Sequence, residues 1–106
     1  MFEADIYWEG QSGKHYGYWI HRIGTSFNEV AGNFIYAKKA GPDEWIPIAI
    51  GQTTNLNDCT GDQAKYECAR QNGATHIHIH TTRGGESLRL AEERDLISKW
   101  TPPCNV

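Results

Sequence analysis

Residues 75–81 read Thr-His-Ile-His-Ile-His-Thr. Strict alternation has a period of two, and only an extended strand turns that period into two faces. His76, His78 and His80 then point one way, and Ile77 and Ile79 point the other. The isoleucine face requires an apolar layer over it. The histidine face calls for polar neighbours, for ligands or for solvent. This segment therefore demands a sheet with chemically distinct sides.

The rest of the chain supplies partners for that strand. Residues 4–9 and 15–22 are rich in aromatic and β-branched residues, and Gly10–Lys14 connects them, so they predict a β-hairpin. Phe34–Lys38 and Ile46–Ile50 predict two further strands around the turn Gly41-Pro42-Asp43-Glu44. Thr60-Gly61-Asp62-Gln63 fits a capping box, opening a helix that runs to about Gln71 and stops at Asn72-Gly73. A second helix is expected from Glu86 to Trp100, ended by Pro102-Pro103. The order predicts an α+β fold: a small antiparallel sheet flanked by helices.

Composition narrows the function classes. A chain of 106 residues allows one domain, and 39% apolar with 22% charged residues suits a globular protein. No apolar run approaches the roughly 18 residues of a membrane-spanning helix, so no membrane partner is expected. The opening MFEADIYWEG carries acids where an export signal would be basic. Cys59, Cys68 and Cys104 form an odd set without a CxxC motif, which predicts reduced thiols and a cytoplasmic location. The formal net charge of -3 supplies no bulk attraction for phosphate, although a local patch could.

On the last helix, Leu88, Leu90, Leu96, Ile97 and Trp100 define an apolar face, and Glu93 falls at its centre. Glu92, Asp95, Ser98 and Lys99 fall on the side expected to meet solvent. A carboxylate in a buried stripe requires a partner or a function. Two readings stand here: an ion pair with Arg89 one turn earlier, or a metal-binding carboxylate. The histidines of 76–80 are spaced roughly 7 Å apart on one face, at twice the strand rise. They could hold Zn or Ni with some adjustment, act singly as acids or bases, or simply bond to neighbours.

Phe34-Ile35-Tyr36, followed by a turn and Ala49-Ile50-Gly51-Gln52-Thr53-Thr54-Asn55-Leu56, resembles the two-motif opening of the GIY-YIG nuclease superfamily. Glu93-x-x-Leu96-Ile97-x-x-x-x-Pro102-x-x-Asn105 is similar to the closing motif of such domains, including the one in the bacterial excision-repair endonuclease. The resemblance covers residues 32–106 and leaves 1–31 as an added amino-terminal hairpin. It implies a three-stranded antiparallel sheet flanked by helices, and cleavage of DNA phosphodiesters with one divalent metal, Mg or Mn. Tyr36 matches the first-motif tyrosine, Glu93 the metal-binding glutamate and Asn105 the terminal asparagine.

Three positions depart from the pattern. Phe34 replaces the first-motif glycine, Ala49 the second-motif tyrosine and Cys59 the catalytic arginine. Removing one charge-stabilising donor costs about two to three orders of magnitude in rate. The leading expectation is therefore a degenerate domain. It would bind DNA, RNA or a protein partner through the former catalytic face, with weak or no cleavage. One alternative is an active endonuclease in which His78 or His80 serves the place vacated at Ala49 and Arg89 replaces the lost arginine. This alternative requires Tyr36, Ala49 and the three histidines to share one face, with Ile35, Ile50, Ile77 and Ile79 on the other. A further alternative is a metal-binding or protein-interaction module unrelated to nucleic acid. Lys38 and Lys39, beside Tyr36, are candidate phosphate contacts.

Overall fold

A computed structural model describes residues 3–61, 63–82 and 84–105. The alternating segment forms β5 (His76–Thr81), the central strand of a five-stranded sheet. Its companions are β1 (Ile6–Glu9), β2 (His15–Arg22), β3 (Gly32–Gly41) and β4 (Glu44–Thr53). The spatial order is β1-β2-β5-β3-β4, and every neighbouring pair is antiparallel. Helix α1 (Gln63–Gln71) connects β4 to β5, and α2 (Glu86–Trp100) follows β5. Short 3-10 turns occupy Leu56–Gly61 and Pro103–Asn105. The α+β class and the order of elements agree with the sequence reading. The capping box expected at Thr60–Gln63 includes Asp62, which lies outside the described residues.

The amino-terminal hairpin is part of this sheet. Trp19–Arg22 of β2 pair with Ile79–His76 of β5, so the hairpin widens the sheet from three strands to five. The stop signals act as expected. Gly73 takes φ +90 just after α1, a conformation L side chains rarely adopt. Thr101 ends α2 in the left-handed region, its N–H donating to Ile97 O at 2.8 Å, and Pro102 prevents continuation.

Helix α1 lies on one side of the sheet and α2 on the other, each with its own core. On the α1 side Phe34, Tyr36, Ile48, Ala49, Leu56, Ala69, Ala74 and Ile77 pack together. On the α2 side the core is Trp8, Tyr18, Ile35, Ala37, Ile50 and Leu96. One expectation is overturned by the register. Ile35 stands opposite His78, and Tyr36 stands opposite Ile77. Residues directly opposite share a face. Ile35 and Ile50 therefore join the histidines, while Tyr36 and Ala49 join Ile77 and Ile79. A one-residue difference in register moves every side chain to the other side.

Candidate functional site

Tyr36 projects from β3 toward α1 and is 1% exposed. Its ring lies edge-on to Phe34 at 5.5 Å and to Tyr66 of α1 at 6.0 Å. Phe34 occupies the place where the resemblance expects a glycine. Its ring lies over Gly51, where an added Cβ would stand 2.4 Å from the ring tip. The bulk added on β3 is thus accommodated by a glycine on β4. Helix α1 packs over β3 and β4. Beyond it, Ile23, Phe27, Tyr36, Leu56 and Ile77 line a cavity of about 180 Å³. A wider groove of about 450 Å³ adjoins it, lined by His21, Phe27, Val30, Leu56 and Ile79 among others. The His21 ring meets Phe27 edge-on at 5.0 Å. No lysine, arginine or carboxylate lines either space among the described residues.

The α2 side holds a buried polar network. His78 is 0% exposed, and its Nδ1 accepts from the Trp8 indole N–H at 3.0 Å. Its Nε2 therefore carries the proton, and that atom is buried without a partner. Burial, and then the nearby His76, pushes the His78 pKa down to about 4, so the ring is neutral at pH 7. His80 Nε2 donates to the Glu92 carboxylate at 2.6 Å, and the Tyr18 hydroxyl donates to the same oxygen. Burial, reinforced by Glu92, holds the Tyr18 pKa well above its ordinary value, so the phenol keeps its proton and remains a donor. His76 Nδ1 meets Thr75 Oγ1 at 2.7 Å. The three histidines thus have separate partners. Among the described residues, no group of three or more His, Cys, Asp or Glu is placed to hold a metal ion.

Helix α2 is rotated relative to the expected arrangement. Glu92 is 6% exposed, whereas Leu88 is 56% exposed. The reason is the hairpin, which covers the side of α2 expected to meet solvent and brings donors to it. Asp95 accepts from the Ser12 N–H at 2.8 Å, the Ser12 hydroxyl at 2.7 Å and the Tyr16 hydroxyl at 2.8 Å. Lys99 reaches Glu9. Arg89 is buried, but its Nε donates to Gln52 Oε1 at 3.0 Å. No Arg89–Glu93 ion pair is present among the described residues.

Glu93 and Asn105 belong to a third place, the outer edge of β4. Glu93 is half-buried, and burial raises its carboxyl pKa, opposed first by Lys65 of α1 and then by Arg94. Lys65 Nζ donates to Ile50 O at 3.3 Å. Asn105 Oδ1 accepts from Ile50 N at 2.6 Å, and its Nδ2 donates to Ile50 O at 2.7 Å. Cys104, next to Asn105, is bonded to Cys68 of α1. This corrects the expectation of reduced thiols for these two. The side chain of Cys59 lies outside the described residues.

The candidate residues are therefore distributed rather than gathered. Tyr36 lines the α1-side cavity, and Lys38 is half-buried on that side near Gly73. His78, His80 and Arg89 lie on the α2 side, with Lys39 placed over the Trp45 ring at 5.7 Å. Ala49, opposite Tyr36, is separated from the strand histidines by the sheet itself. Sequence reasoning missed Glu92, His21 and Phe27. Their roles depend on how the hairpin and the loop after it fold back, which local periodicity does not carry. No family model, curated protein or solved structure matches the chain.

Proposed function

We propose that this chain is a GIY-YIG-type nuclease domain that no longer cleaves and serves as a binding module for nucleic acid. The observation carrying this reading is the contact between the two motif halves. Asn105 of the closing motif makes two side-chain hydrogen bonds to the main chain of Ile50 in the second motif, 55 residues away. The order β4-β3-β5, with α1 between β4 and β5 and α2 after β5, also supports it. Absence of cleavage follows from chemistry. Ala49 offers no acid–base group, and His76, His78 and His80 are on the opposite face from it. Glu93 stands with Lys65 and Arg94, two cations that compete with a divalent metal for its carboxylate.

The α1-side groove is the binding surface in this reading. Phe27 and His21, both half-buried, offer rings against which a splayed base can stack, with the buried Tyr36 beneath them. Among the described residues no lysine or arginine lines the groove, so phosphate contacts contribute little to this binding. Fluorescence anisotropy with single-stranded DNA and RNA tests this. Binding should weaken about tenfold in Phe27→Ala, and its log–log salt slope should not exceed about 2 in magnitude. A second reading, a protein-interaction module, is favoured by the net charge of -3 and the uncharged groove. Absence of oligonucleotide binding at any salt concentration would favour it. We place the protein in the cytoplasm. No helix among the described residues is long and apolar enough to cross a membrane. A disulfide in that compartment is typically transient and redox-responsive.

A further inference from the structure

We propose that the Cys68–Cys104 disulfide is a redox latch that holds the carboxyl-terminal 3-10 turn against the outer edge of β4. β4 is the last strand of the sheet, so its outward N–H and C=O groups have no strand to pair with. At Ile50 a side chain takes that role. The Asn105 amide accepts from the Ile50 N–H at 2.6 Å and donates to its C=O at 2.7 Å, as a neighbouring strand would. Asn105 is held there through its neighbour, because Cys104 is tied to Cys68 on α1. Asn72, at the end of α1, donates to Cys68 O at 2.8 Å and lies 3.6 Å from each sulfur, fixing the anchor.

Both cysteines are only half-buried, so a small dithiol can reach them. Its thiolate attacks one sulfur and displaces the other cysteine as a thiolate, giving a mixed disulfide. Its second thiol then displaces the remaining cysteine. The products are two protein thiols, once protons are taken up, and the oxidised dithiol. Without the bond, the tail exchanges its contacts for water and Asn105 leaves Ile50. The Ile50 C=O keeps Lys65 as a partner, at 3.3 Å, while its N–H becomes open. Reduction thereby exposes a strand edge of the kind that pairs with an extended segment of another chain.

The test is amide hydrogen exchange by NMR on the intact protein, before and after reduction with dithiothreitol. Alkylation and mass measurement count the free thiols in each sample. The latch predicts that Cys68 and Cys104 resist alkylation before reduction. It also predicts that Ile50 protection falls about tenfold or more on reduction while Tyr36 and Ala49 keep theirs. The Cys68→Ser/Cys104→Ser variant should show the reduced pattern without reductant. Asn105→Ala should expose Ile50 with the disulfide intact. Unchanged Ile50 exchange after full reduction would overturn the proposal. So would an equal loss across the β3–β4 ladder, which would make the bond a general staple, or thiols at 68 and 104 that alkylate without reductant.

Discussion

His78 gives the account its clearest pH dependence. The fold holds its pKa near 4, against an ordinary 6.5, because the ring is buried beside Trp8 and Trp45. Between those values the unfolded chain takes up a proton that the folded ring refuses. Stability is therefore complete above pH 6.5 and falls as pH drops toward 4, by about 3 kcal/mol from this residue. Urea unfolding at pH 7 and pH 4.5 should show the loss, and His78→Phe should flatten that part of the profile. Trp8→Phe should destabilise the protein at neutral pH by about 1–3 kcal/mol, because it leaves the buried Nδ1 without a donor. An unchanged midpoint in Trp8→Phe would contradict the bond's assigned role.

At the scale of elements, the hairpin decides how α2 sits. Tyr16, Tyr18 and Ser12 bring donors to Asp95 and Glu92, and Trp8 and Tyr18 fill the core beneath the helix. A chain lacking residues 1–31 should therefore lose cooperative thermal unfolding and its near-UV circular dichroism, although the resemblance begins only at residue 32. A truncated chain with native melting would show that the hairpin is an accessory. Leu96→Ala, which empties a fully buried position under α2, should cost about 2–5 kcal/mol in chemical denaturation. Most elements were legible in the sequence because their signals are local: alternation at 76–80, glycine and proline at the turns, and the period of 86–100. The placement of Glu92 and Glu93 was not. Helical spacing identifies an apolar arc, but polar donors on a distant hairpin can draw a carboxylate inward and leave Leu88 outside. Register was equally hidden. The alternation of β5 fixes two faces without saying which face of β3 each one joins, and the pairing puts Tyr36 with Ile77 rather than with the histidines.

For the whole molecule, the five-stranded sheet acts as a partition. Tyr36 and the groove lie on one side, the Trp8–His78 and Tyr18–Glu92–His80 bonds lie on the other, and the two motif halves meet at the β4 edge. The strand histidines stabilise the α2 side and are unavailable to the place left by Ala49. In the proposed reading, that separation is why the domain would bind without cutting. The direct measurement is nicking of supercoiled plasmid by the oxidised and the reduced protein with Mg2+ or Mn2+. The account predicts no nicking above that of Glu93→Ala with either metal. Metal-dependent nicking that disappears in Glu93→Ala would contradict it.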